Sequence, residues 1–169
     1  VTDSDSRFTA NPPAGLPGEA RFGTDPAILT NQHVLDFYHL WHSRCRDGRI
    51  PSRAGMDPLL MGRFLSTILV TRVHYDPLDF EYRIIGEEVI ALLGNLTGKR
   101  VRSAAMINVA GSAFANYAFV VEHKVPQFLE GPASPAFRKD RRYVMSRVHC
   151  PLSADGEAVD HIISCVAFL

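Results

Sequence analysis

The chain has no excess of charge of either sign and no pattern that would carry it into or across a membrane. Lysine plus arginine and aspartate plus glutamate number 18 each in 169 residues. A neutral chain sets up no global field for nucleic acid or an anionic lipid surface. No apolar run approaches the ~20 residues of a membrane span. The opening stretch VTDSDSRFTANPPAGLPGEARFG lacks the basic-then-apolar order of a secretory signal. Cysteine is scarce: Cys45, Cys150 and Cys165 are an odd number without a CxxC, and read as free buried thiols in a reducing compartment. The cytoplasm is therefore the expected location, with no nucleic acid and no membrane among the expected partners.

Catalytic signatures are missing as well. The stretch FEYRIIGEEVIALLGNLTGK, residues 80–99, runs from a strand through a glycine into a helix and ends in Gly-Lys. A P-loop needs GxxxxGK and then Ser or Thr to hold Mg²⁺. GNLTGKR is one residue short, has Arg100 where the hydroxyl belongs, and follows a helix instead of preceding one. There is no GxGxxG and no GxSxG elbow. Asp160 and His161 are neighbours in a predicted strand, so they point to opposite faces and do not pair. The carboxylates are scattered and define no acid/base pair. No catalytic residue is expected. His39, His42 and Cys45 share one side of a predicted helix, but closed-site ligand spacing is missing and no metal is expected. A haem on His123 is not expected either, because the helix dipole explains a histidine in a last turn. The basic runs KRVR at 99–102 and RKDRR at 138–142 fit solvated turns or edge protection in a neutral chain.

What is present is a sequence of elements. Residues 1–29 are rich in Pro, Gly, Ser, Thr and Asp without periodicity, and are expected to form a flexible leader. One domain follows, over 30–169, with N-terminal helices over 30–66 and a core over 67–169. Thr30 or Asn31 caps a helix closed by Gly48, with Val34, Phe37, Tyr38, Trp41 and Cys45 at helical spacing. Asp57 and Pro58 open a second helix carrying Leu60, Phe64 and Ile68 on one face. TILVTRVHY and FEYRIIG read as a hairpin around DPLD. EEVIALLG is a short helix between Gly86 and Gly94, and SAFANYAFVVEHK a longer one capped by Ser112. VPQFLEG is a short strand, marked as an edge by Pro126. RRYVMSRVHC and AVDHIISCVAFL are long strands joined around Asp155-Gly156. The last is nearly all apolar, which suits a central strand covered on both faces. The order predicts an α+β fold.

The layout of two strands, helices and three strands behind a helical extension resembles the PAS superfamily. FYHLWHSRCRDGRIPSRAGMDPLLMGRFLSTILVTRV, FEYRIIGEEVIALLGNLTGK and CPLSADGEAVDHII look like three ordered blocks of a bacterial family of stand-alone PAS-like proteins, over residues 31–169. Arg72 stands before Val73 where that family often has an acid. No Asn-Cys-Arg run is present, so flavin photochemistry is not implied. The resemblance implies a PAS-like five-stranded antiparallel sheet with helices on one face and an N-terminal helical extension. It also implies a pocket between sheet and helices, and dimerisation through the N-terminal helix.

Alternation along residues 80–85 makes Phe80, Tyr82 and Ile84 the better pocket wall. Leu92, Phe114, Tyr117 and Val121 are expected to face it. Arg83 is either ordinary surface or turned inward, where it must be paired or bind an anion. Phe37, Tyr38 and Trp41 need a covering surface, either this domain's sheet or the same helix of a second subunit, and a homodimer is the expected state. The leading expectation is a non-catalytic PAS-like sensory module that binds a small molecule or a protein partner, dimerises, and signals through a separate output protein. The alternatives are a structural dimerisation module with a filled core and a small enzyme using the same cavity.

Overall fold

Strands β5 (Val144–Leu152) and β6 (His161–Phe168) pair antiparallel along their length, from Met145↔Phe168 to Leu152↔His161. Successive side chains leave a strand on opposite faces. Val148, Cys150 and Leu152 therefore join Ile163 and Cys165 in one apolar cluster, while Met145 joins Ile162 and Val166 in another. The computed structural model describes residues 21–102, 107–132 and 144–168. Within them the hairpin β2 (Ile68–Tyr75) and β3 (Leu78–Ile85) attaches to β6 through β2, and β4 (Gln127–Pro132) attaches to β5. The order is β1-β4-β5-β6-β2-β3, antiparallel throughout.

Among the described residues the sheet has six strands where five were expected. The extra one, β1 (Arg21–Gly23), lies inside the stretch expected as a flexible leader and pairs with β4. Its anchor is distant in sequence. The buried carboxylate of Glu130 accepts from Arg21 at 2.7 Å, from the Thr30 amide and hydroxyl at 2.8 Å each, and from Ser146. Burial alone would raise its pKa, but the hydrogen bonds from Ser146 and Thr30 and the charge of Arg21 outweigh that and hold it below the usual range. β4 is consequently paired on both sides, and Pro126 stands just ahead of it instead of marking an edge.

The helices cover both faces, not one. Helix α1 (Gln32–His42) is capped by Asn31, whose side chain accepts from the Val34 amide at 3.1 Å. It lays Val34, Phe37 and Trp41 on β5 and β6. Phe37 is fully buried, and the Trp41 indole donates to the Pro151 carbonyl at 3.0 Å. A helix with three such side chains needs an apolar platform, and the chain's own sheet supplies it. α2 (Glu87–Leu93) and α3 (Ile107–His123) pack on the opposite face. α3 starts five residues ahead of Ser112, which lies within it instead of capping it.

Two expected helices are shorter or different. α1 stops at His42, short of Cys45 and Gly48, with the Ser43 hydroxyl donating to the Leu40 carbonyl and Asp47 and Gly48 taking positive φ in the turn beyond. Residues 57–67 form turns and a 3₁₀ helix, Gly62–Thr67, instead of an α-helix. Asp57 does accept from a first-turn amide, that of Leu59 at 2.8 Å. Gly62 then weakens the helix, and Ile68 is already committed to β2. Leu59 and Leu60 are left exposed. All three cysteines are free, with Cys150 and Cys165 buried and Cys45 half-buried. Burial raises Cys165 to about 12, so it remains a thiol at neutral pH.

Gly86 turns β3 into α2 at a point where no side chain fits. A Cβ there would lie 2.4 Å from the Ser66 carbonyl group. Gly86→Ala forces backbone apart and is expected to cost about 2–4 kcal/mol. Urea denaturation checks this, and an unchanged midpoint would contradict the packing described.

Candidate functional site

The two faces of the sheet differ chemically. Beneath α1 the strands present mainly apolar side chains. Beneath α3 a polar group is embedded in the apolar cluster. The register sets Gln127, His149 and Ser164 side by side across β4, β5 and β6, and directly paired residues share a face. Arg147 stands two residues before His149 on β5 and so faces the same way. Thr71 and Tyr82 are paired across β2 and β3, and Tyr117 descends from α3. Its ring meets that of His149 edge-on, with centroids 5.1 Å apart. All of these except Arg147 are buried, as is Asn116 of α3.

The hydrogen bonding is incomplete. His149 Nδ1 is 2.7 Å from Ser164 Oγ. Thr71 donates to the Ile162 carbonyl at 3.5 Å. The Asn116 Nδ2 and Gln127 Oε1 atoms are buried without a partner. Native interiors pair nearly all such atoms, with protein or with ordered water, so each of these two calls for a further partner.

Charge in this group follows from burial. Desolvation pushes His149 well below 6.5, and the positive charge of Arg147 adds to it, so the imidazole is neutral. Desolvation raises Tyr82 well above 10, and the neighbouring Tyr117 adds to the shift. Tyr117 is raised too, its burial partly offset by hydrogen bonding with Thr71 and by Arg147. Arg147 is itself lowered by desolvation, with the two tyrosines opposing that.

The sequence-derived candidates divide. Tyr82 and Tyr117 lie in the group. Phe114 is half-buried beside it, its ring 5.3 Å from Phe80 and capped by the Arg102 guanidinium at 4.2 Å. Val121 is half-buried at the margin of the cluster, where Val120 is the fully buried neighbour. Leu92 is half-buried, while Val89, Ile90 and Leu93 make the cluster contacts of α2.

Ile84 is not in the wall: it is 41% exposed and Ile85 takes the inner place. The cause is a bulge. Val70 pairs Ile84 but Thr71 pairs Tyr82, so Arg83 is the extra residue and the alternation flips. Arg83 faces outward and donates to Glu81 Oε1 at 2.7 Å. Glu81 also meets His74 at 2.9 Å, and these two partners hold its pKa below the usual value.

Phe37 and Trp41 are buried against this chain's own sheet, and Tyr38 is half-buried with its ring 4.9 Å from Phe128. None of the three needs a second subunit to cover it. Asp160 and His161 do pair, because Asp160 precedes β6 and is not held to strand alternation. With Arg53, Arg72 and Arg83 they line an open cleft of about 330 Å³ on the sheet's outer end. The residues 98–101 lie along β3 instead of cradling an anion: Gly98 donates to the Tyr82 carbonyl and Val101 to that of Phe80.

Sequence reasoning missed Arg147, His149, Ser164, Thr71, Asn116 and Gln127. The available signal was SRVHC, where Arg and His two apart in a strand share a face while Val and Cys take the other. Among the described residues no group of three His, Cys, Asp or Glu side chains is placed to hold a metal, and no helix is long and apolar enough to cross a membrane.

No family model and no curated protein matches the chain, so the narrower likeness to a bacterial stand-alone family has no support from either. Among solved structures, that of an RNA-binding light-oxygen-voltage receptor aligns with 90% of this chain at 13% identity and a TM-score of 0.47. The chain spans 39% of that receptor's length.

The neutral state of His149 has a pH consequence. Below 6.5 the unfolded chain takes up a proton that the folded imidazole refuses. Stability therefore falls as pH falls, with a slope approaching about 1.4 kcal/mol per pH unit from this residue. His149→Gln is expected to flatten the stability profile between pH 6.5 and 5, measured by denaturant titration. Parallel profiles for the two proteins would contradict the assignment.

Proposed function

We propose that the chain is a PAS-like sensory module without catalysis of its own, which takes a small molecule between the sheet and α3. The supporting observation is the contrast between the two faces. α1 covers an apolar platform, as a purely structural layer does. The face beneath α3 instead half-buries Arg147 and buries His149 and two unpartnered amides, which cost stability unless something pairs them. Two strands, helices and three strands occur in the order that the PAS resemblance implies. A ligand pressing on Tyr117 bears directly on α3, the element best placed to carry a change to a separate output protein.

A second surface favours association. Leu59, Leu60 and Leu65 are 90%, 47% and 42% exposed around the 3₁₀ helix. Homodimerisation, or contact with the output protein, would use these leucines in place of Phe37, Tyr38 and Trp41.

Native mass spectrometry of the purified full chain tests the sensory reading. A retained small molecule is expected, lost on Tyr117→Trp, which fills the space. The bare protein or dimer mass alone, unchanged by added metabolite extracts, would favour a structural module with a filled core. Turnover in a hydrolase or isomerase screen, lost on changing Tyr82, would favour the enzyme.

A further inference from the structure

The open cleft at the outer end of the sheet gathers guanidinium groups. Its volume is about 330 Å³, and Arg53, Arg72 and Arg83 line it together with Tyr75, Asp160 and His161. None of Tyr117, Arg147 and His149 lines it, so it is separate from the group beneath α3. The register builds it. Glu81, Arg72 and His161 pair in a row across β3, β2 and β6, and directly paired residues share a face. Arg72 and His161 each lie two residues from a member of the apolar cluster beneath α1, Val70 and Ile163, and so continue that face beyond the cluster. α1 packs on β5 and β6, and Arg72 is left exposed. Arg53 arrives from the turn after α1. The Ser153 amide, donating to the Pro51 carbonyl at 3.0 Å, and the buried Met56 fasten that turn.

Some polar groups of the cleft are engaged and others are not. Asp160 accepts from the Ala154 amide and from His161 Nδ1, one on each oxygen. The Tyr75 hydroxyl donates to the Val159 carbonyl at 2.7 Å. Arg83 donates to Glu81 through Nη1. Arg53 and Arg72 make no side-chain hydrogen bond or ion pair among the described residues, and His161 keeps Nε2 unused. Two unpaired positive charges match a ligand with two negative ones. A phosphate monoester carries nearly two at neutral pH and offers three terminal oxygens, which the arginine fork engages in pairs. A carboxylate brings one charge and two oxygens, and would leave one guanidinium without a partner. The volume stands at the low end of ligand pockets, which run from about 300 to 1,000 Å³, and so suits a small molecule. A nucleic-acid track would need further basic groups alongside. The arginines of the KRVR run are in use, Arg100 meeting Asp79 at 3.9 Å and Arg102 donating to the Leu78 carbonyl at 3.1 Å.

We infer that this cleft binds a phosphate dianion, free or as the monoester of a small molecule, on Arg53 and Arg72, with Arg83 and His161 Nε2 at its margin. The site goes beyond the sensory reading above and does not rest on it.

Calorimetric titration of the unmodified full chain at about pH 8, where the phosphate probes are dianions, tests this with phenyl phosphate, inorganic phosphate and benzoate at one ionic strength. Phenyl phosphate is expected to bind about tenfold tighter than benzoate. Inorganic phosphate binding as tightly as phenyl phosphate supports the site with the free ion as its ligand, and weaker binding supports it with an ester. Arg53→Gln and Arg72→Gln are each expected to lower the phenyl phosphate affinity about tenfold. Arg63→Gln, which removes an exposed arginine paired with Asp36 outside the cleft, is expected to leave it unchanged. All three side chains are exposed, so the variants are expected to fold, and an unchanged Tm checks that. Benzoate binding as tightly as phenyl phosphate, an equal loss in Arg63→Gln, or no binding of either phosphate at about 10 mM would overturn the assignment. Tighter binding of a short single-stranded oligonucleotide than of phenyl phosphate would also overturn it, in favour of a nucleic-acid surface.

Discussion

The alternation of side chains along β5 and β6 is the constraint from which the rest follows. One set of residues, Val148, Cys150, Leu152, Ile163 and Cys165, faces α1 and is mainly apolar, its one side-chain hydrogen bond among the described residues running between the Cys165 thiol and the Thr67 hydroxyl. The other set, which includes Arg147, His149 and Ser164, faces α3 and mixes charge and hydrogen-bonding groups into an apolar surround. A shift of one residue in either strand would exchange the two sets. Trp41 would then meet an arginine and Tyr117 a cysteine. The hydrogen bond from Trp41 to the Pro151 carbonyl and the edge-on contact of Tyr117 with His149 are both tied to the present register.

Two further features protect that register. Glu130 gathers Arg21, Thr30 and Ser146 from three separate segments, so the start of the described chain is bound to the far end of the sheet. The bulge at Arg83 lets β3 present Phe80 and Tyr82 to α3 and then return Ile85 to the core before the turn at Gly86. At that turn the chain passes so close to Ser66 that only glycine fits. The polar group is thus built on strands held at both ends, a rigid platform for a site.

Much of this order was legible in the sequence. The hairpin around DPLD, the strand-to-helix turn at Gly86, the stop at Gly94 and the apolar final strand are all local signals, and all are present. The failures share a cause in long-range contacts. β1 is a strand because Glu130 binds its arginine, which no local pattern announces. Residues 57–67 have the pattern of a helix but are drawn into a 3₁₀ turn by the approach to β2. Ile84 looked inward because a bulge is invisible to simple alternation. In the site, the tyrosines were legible as large residues on predicted faces. Arg147 and His149 were passed over because a strand holding them reads as ordinary surface until the partner helix is known.

Residues kept for binding commonly cost stability, and residues kept for folding supply it. Arg147 distinguishes the two on this point. If its charge is there for a ligand, the ligand-free fold is better off with an apolar side chain of similar length. The decisive measurement is the unfolding free energy of Arg147→Met against the parent, ligand-free at pH 7. The account predicts a variant as stable or more stable, by about 1–3 kcal/mol. A loss of several kcal/mol would show that Arg147 holds the fold together and would contradict the claim that the face beneath α3 is a binding site.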